Sequence, residues 1–287
     1  PADAWFHEGA GYPGLPPNIV LMEMALQPCG FLSAYLRSSF LDPDADFYFR
    51  NLDGRGRVLA DLDLRGKTVC DEVQLLSSTR GQGAIIQTYA FTLSCEGTTF
   101  YEGWSSFGYF SKKSLTRQSG LGPDAQEPAG RSPATHLSVD RRGVPDQLQQ
   151  VTEVRISEPA GQSGHASLST AGRISPSDWF FQAHFYQDPV MPGSLGVEAA
   201  FQAMVGYARW RYPQFSDGVT RQVVDHEMVW RYRGQITPED RQWRVAVQLT
   251  DVRVDPAGVT LFGDASVWKD DVRIYQIDGM AVSLTHQ

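Results

Sequence analysis

A histidine and a carboxylate fourteen positions apart can share proton chemistry if the turn between them is sharp, and His184 and Glu198 are such a pair. The segment Ala183-His184-Phe185-Tyr186-Gln187-Asp188-Pro189-Val190-Met191-Pro192-Gly193 is dense in turn formers, and Glu198 follows inside an apolar run. A buried carboxyl has its charged form disfavoured, so it holds its proton nearer neutrality and can act as an acid. A helix starting after Pro192 presents unpaired backbone N–H groups to a polarised carbonyl oxygen. Taken alone, the residues weigh evenly between this chemistry and a packed histidine beside a capped turn.

The elements that would position these groups follow from pattern. Asp178-Trp179-Phe180-Phe181 is aromatic and flanked by turn formers, which predicts a strand ending near His184. Leu195, Val197, Ala199, Ala200, Phe201, Met204, Val205 and Tyr207 predict a helix too apolar to lie on a surface. Earlier in the chain, Ala4-Trp5-Phe6-His7 reads as a short strand and Asn18 as an N-cap. Ile19 to Leu36 reads as an apolar helix that Pro28 should bend or interrupt. Phe47-Tyr48-Phe49 leads to a turn at Asn51-Leu52-Asp53-Gly54, and Val58 to Leu64 alternates like a half-buried strand. Val73–Ser78, Ala84–Ser94 and Thr99–Phe110 complete an antiparallel series. Ser114 to Gln149 is rich in Gly, Pro, Ser and Asp and reads as a linker or strap, longer than an ordinary loop. Strands resume at Val151–Ser157 and Gly164–Leu168. After the helix they follow at Val223–Val229, Trp230–Ile236, Trp243–Val254, Val259–Trp268 and Val272–Leu284, with a hairpin turn at Lys269-Asp270-Asp271.

The second half thus repeats the first. Met22-Glu23-Met24-Ala25-Leu26-Gln27 aligns with Val197-Glu198-Ala199-Ala200-Phe201-Gln202, and Pro17 with Pro192. Leu62 to Lys67 matches Trp230 to Gln235. Glu and Gln four apart share a helix face, so the amide can orient the carboxylate. Two copies in one chain predict a pseudo-twofold pair. They differ at the histidine. The position matching His184 is near Gly9, with His7 two residues out of register. A duplicated site with one half decayed would show this asymmetry.

Composition narrows the rest. The 287 residues are 41% hydrophobic and 20% charged, ordinary for a globular protein with room for about two domains. A net charge of -8 speaks against nucleic acid as partner. Cys29, Cys70 and Cys95 cannot all pair, which reads as reduced thiols and a cytoplasmic location. No run approaches the ~18 apolar residues of a membrane span. The chain begins at Pro1 within a segment that already looks ordered, as a domain cut from a longer protein would. His136, His165, His226 and His286 lack metal-ligand spacing. Gly120, Gly122 and Gly130 have no helix after them, so no phosphate loop is implied. The arginines show no single basic cluster.

His184-Phe185, then Asp188-Pro189-Val190-Met191-Pro192-Gly193, then Leu195-Gly196, resembles the signature of the hotdog-fold β-hydroxyacyl-ACP dehydratases, the β-hydroxydecanoyl-ACP dehydratase/isomerase type above all. Met22 to Leu32 and Phe47 to Gly54 resemble the dehydratase regions of bacterial polyunsaturated fatty acid synthases, in which a histidine-less hotdog precedes an active one. The resemblance implies an α+β double hotdog: residues 1–113 a silent copy, 114–150 a linker, 151–287 the copy with the histidine. It implies water loss from a (3R)-3-hydroxyacyl thioester held by an acyl carrier protein, without metal or organic cofactor, among other domains of a multidomain synthase. The family builds each site across the two copies. His184 would then face Glu23, with Gln27 holding that carboxylate and the Gly193 N–H binding the thioester oxygen, and Glu198 would be the runner-up acid. Glutamate in place of the isomerase's aspartate, and Ser194 in place of its cysteine, put double-bond isomerisation in doubt. A hotdog thioesterase and a non-catalytic acyl-binding module are the alternatives. Homodimer formation stays open.

Overall fold

A computed structural model of the chain describes residues 4, 6, 14–41, 46–81, 83–122, 134–140, 144–158 and 164–286. The expected strand at Ala4–His7, and with it His7 and Gly9, falls largely or wholly outside them. The first long helix, α1, spans Asn18–Tyr35. Four strands follow: β1 Phe47–Val58, β2 Val69–Gly81, β3 Ala84–Cys95 and β4 Thr98–Ser111. A single helical turn, α2 (Lys112–Leu115), leads into the predicted linker. Then come β5 Thr135–Ser138, β6 Glu153–Ser157, β7 Ser167–Arg173, the short helix α3 Trp179–Ala183, and the second long helix, α4, Gly193–Arg211. The chain ends with β8 Val219–Gln222, β9 Glu227–Tyr232, β10 Gln242–Asp255, β11 Gly258–Lys269 and β12 Val272–Thr285. Among the described residues, no helix is long and apolar enough to cross a membrane.

The strands form one antiparallel sheet in the order β2-β3-β4-β1-β9-β12-β11-β10-β7-β6-β5, with β8 beside β12. The two halves meet where β1 pairs β9, from Asp53 opposite Arg231 to Arg57 opposite Glu227. α1 packs on β2 and β3, α4 on β10, β11 and β12, and the two helices touch each other. The duplication is visible in irregularities as well as in order. The register slips after Leu75 in the β2–β3 ladder and after Leu249 in the β10–β11 ladder. β1 lies between β4 and the join, as β9 lies between β12 and the join. The counterpart of Trp230–Tyr232 is therefore in β1, and the expected match at Leu62–Lys67 does not hold.

Several local expectations change for physical reasons. Trp179 to Phe181 is helical instead of extended. Phe180 and Phe181 are both buried, which neighbours on a strand could not achieve on one face. Asn51–Gly54 is a register shift within β1, not a turn. Ala60 to Leu64 keeps its alternating burial but, among the described residues, has no ladder partner; just before it, the Leu59 N–H reaches Phe100 O at 2.8 Å. Asn18 is the first helical residue instead of the cap, and Pro17 takes the cap position. α1 runs unbroken through Pro28, held by packing: Ala25 and Cys29 on either side are fully buried. Val223–His226 interrupts β8 and β9, and Gly234 to Ile236 lies beyond the strand. The predicted linker is partly built into the fold, since β5 pairs β6 and Leu148 is buried.

Candidate active site

His184 ends α3 with its N–H bonded to Phe180 O at 2.8 Å. Phe185 and Asp188 then exchange backbone bonds of 3.0 and 3.2 Å, and Val190 N–H returns to His184 O at 2.8 Å. A tight loop therefore starts and ends at the histidine. The His184–Phe185 peptide is cis and Gln187 is left-handed at φ 58°. His184 Nδ1 lies 2.9 Å from Val190 O, and a carbonyl can only accept, so Nδ1 carries the proton. Nε2 is left as the basic nitrogen. Burial lowers the imidazole below its ordinary value of 6.5; the Val190 carbonyl and the charge of Glu23 oppose that, and Arg50 adds to it. The ring is therefore held neutral and able to take a proton near pH 7.

Glu23 comes from the second turn of α1, in the other half of the chain. It and His184 line one cavity of about 680 Å³, together with Gln27 and Gly193. Gly193 is the first residue of α4, and Pro192 at its cap supplies no side-chain bond to the helix start. The first N–H groups of such a helix have no partner within it. A Cβ at residue 193 would lie 2.7 Å from the Tyr232 ring, so the close approach of Tyr232 requires glycine there. Phe49, Phe107 and Tyr109 form an aromatic wall, with Phe49 stacked on Phe107 at 5.0 Å.

Glu198 is absent from that lining. It is 2% exposed, its Oε1 accepts from Gln202 Nε2 at 2.9 Å, and its Oε2 has no partner among the described residues. Burial pushes it up to about 7, with the Gln202 bond opposing. Asp71 on β2 is likewise raised to about 7 by burial and is also outside the lining. A raised carboxyl is therefore not by itself the sign of the site here. Gln27 is exposed, and among the described residues no hydrogen bond joins it to Glu23. The clamp expected there is formed instead by its counterpart Gln202. Ser194 is buried at the cavity edge.

A family model described as a FabA-like domain matches residues 144–278, the segment holding His184, Gly193 and Glu198. The C-terminal half is a FabA-like domain. The whole chain is 31% identical, over 99% of its length, to a polyunsaturated fatty acid synthase protein of Thraustochytrium sp., one of that synthase's subunits; it spans 21% of that protein. Among solved structures, a protein assigned as an oleoyl thioesterase from Lactobacillus plantarum aligns with a TM-score of 0.52 at 11% identity, over 98% of this chain and 95% of that one. A hot dog fold protein of unknown function from Alicyclobacillus acidocaldarius aligns at 0.50 and 13% identity, over 99% and 90%. The fold is a double hotdog.

Two groups in the cavity lining escape a reading of the sequence. Arg50 on β1 makes a two-pronged ion pair with Asp188, Nη1 to Oδ2 at 2.5 Å and Nη2 to Oδ1 at 2.8 Å. Tyr232 packs over Gly193, and its buried hydroxyl has no partner among the described residues. Both Arg50 and Asp188 stand in the segments that carry the resemblance. No local spacing could connect residues 138 positions apart.

Proposed function

We propose that the chain removes water from 3-hydroxyacyl thioesters, giving 2-enoyl thioesters, with one site built from both halves. The observation that carries this is the shared cavity: a neutral histidine with its Nδ1 proton tied down, and a glutamate from the other copy. His184 Nε2 takes a proton from C2. The C2–H electron pair becomes the C2=C3 bond, the C3–O bond breaks, and Glu23 protonates the departing hydroxyl as water. The proton on His184 then returns to Glu23 for the next turnover. The Gly193 N–H faces the thioester oxygen, where charge builds as the C2 proton leaves. The chemistry draws on no metal or organic cofactor.

In this reading residues 1–113 form the silent hotdog, 114–150 the connection and 151–287 the hotdog with the histidine. The substrate is carried by an acyl carrier protein, and the chain works beside other domains of a multidomain synthase. The likeness to a fatty acid synthase protein supports this assignment. Isomerisation is not included.

Replacing His184 with Ala is expected to abolish enoyl formation from a 3-hydroxyacyl thioester while leaving a folded protein. In the wild type, kcat/KM should rise with pH through a midpoint below 6.5, because burial disfavours the charged imidazole. Undiminished activity in the variant, or release of free thiol in place of enoyl product, would overturn the assignment.

A further inference from the structure

The half that lost its histidine reaches the reacting centre a second time, through Arg50. We infer that Arg50 is a positioning residue: it grips Asp188 from across the join and thereby fixes the loop on which His184 is presented. This rests on the dehydratase reading for its kinetic arm only.

The geometry supports it at each link. Arg50 is 9% exposed and Asp188 20%, and both carboxylate oxygens are taken by one guanidinium. Such a forked pair fixes orientation as well as distance. Asp188 exchanges two backbone bonds with Phe185, the residue after His184, and Val190 closes the loop onto the His184 carbonyl. Arg50 itself is held by the β1–β4 ladder opposite Gly108 and by a 2.8 Å bond from Nη1 to Phe49 O. A rigid strand of one copy therefore holds the catalytic loop of the other. Removing one partner of a pair this buried leaves an uncompensated charge beside the histidine. The charged and titratable groups that line the cavity with His184 are Glu23 from α1, Arg50 from β1, Asp188 from its own loop, and Tyr109, Tyr186, Tyr232 and Tyr275, of which Glu23 raises and Arg50 lowers its proton affinity.

The test is a set of three variants of this chain, Arg50→Met, Arg50→Lys and Asp188→Asn, each read by His184 NMR titration and by steady-state kinetics. Arg50→Met should move the His184 midpoint up, because a positive neighbour is lost and Asp188 is left unbalanced. Asp188→Asn should move it down, because Arg50 is left unbalanced. Arg50→Lys should keep the midpoint near wild type yet lower kcat with little change in KM, since an ammonium keeps the charge and loses the fork. A loss of about 10²-fold in kcat is expected for Arg50→Met, the scale of a misplaced group. Loosening of the fold alone would shift both midpoints the same way. That result, or unchanged midpoints and kcat in the Arg50 variants, overturns the inference. Should Arg50→Met not fold, the other two variants decide. If the wild type fails to dehydrate, the function reading falls while the opposed titration shifts still judge this one.

Discussion

Glu23 and Glu198 sit at matching places on two helices that both begin after a proline cap, yet their surroundings are opposite. On α4, Gln202 turns inward. Its amide nitrogen reaches Leu148 O at 2.6 Å and Glu198 at 2.9 Å, and its oxygen accepts from the backbone of Gln150 and Val151 at 3.1 Å each. The end of the predicted linker is thereby fastened over the helix, and Val139 packs against Gly206 further along. On α1 the same face is open. Gln27 is exposed, Gly30 lines the cavity where α4 has buried Val205, and Phe31 is 72% exposed. The carboxyl on the uncovered helix lines the cavity with the histidine; the one under the strap is walled into the core. A duplicated position thus faces the cavity or the core according to what the connecting chain lays over it.

The sharpest way to break this comparison is to neutralise each carboxyl in turn. Glu23→Gln should cost about 10²–10⁴-fold in kcat, the span attributed to a positioned acid or base. Glu198→Gln should stay within a few-fold of wild type, since Glu198 does not reach the cavity. Equal or reversed losses in the dehydration assay would show that the acid is misassigned.

Much of this layout can be read from residues, and the unreadable part has a physical cause. The Glu-x-x-x-Gln repeat, the apolar helices and most strands of the second half follow from periodicity, because their burial alternates or surrounds them. Trp179–Phe181 misleads because aromatic content suits a strand, whereas two adjacent buried rings need a helical turn. Ala60–Leu64 misleads because alternating burial does not supply a neighbouring strand. That Glu23 and not Glu198 lines the cavity with His184 depends on which helix the strap covers, a contact between residues about fifty positions apart in which nothing local takes part. Arg50–Asp188 is hidden for the same reason, at larger separation. The family resemblance supplied the expectation of a cross-copy pairing, which spacing alone could not.

A second probe asks whether the helix start of α4 serves the site while that of α1 does not. In Gly193→Ala the new Cβ would press on the Tyr232 ring from 2.7 Å, so either the ring or the helix start must shift. Loss of a well-aimed backbone donor costs about 10²-fold or more in kcat. We expect a fall of that order measured on a soluble thioester, with KM little changed. A Gly193→Ala enzyme with wild-type kcat would remove the N–H from the site.

The effect of least consequence for catalysis separates the two helices by stability. Burial raises Glu198 to about 7 from an ordinary 4.5, so the folded chain binds that proton more tightly than the unfolded chain does. Its favourable share of stability is full below pH 4.5 and is lost as pH rises through about 7, after which the loss levels off. The difference corresponds to about 3 kcal/mol between the two ends of that window. Glutamine at 198 has no proton to lose and keeps an amide that can bond Gln202. Glu198→Gln should therefore match or fall slightly below wild type near pH 5 in denaturant unfolding, and exceed it at pH 8. A buried acid that keeps its proton into the neutral range inverts the order of the two proteins with pH in this way. Parallel pH curves for the two would mean that Glu198 keeps company with water, and that the strap over α4 is looser than its bonds to Gln202 indicate.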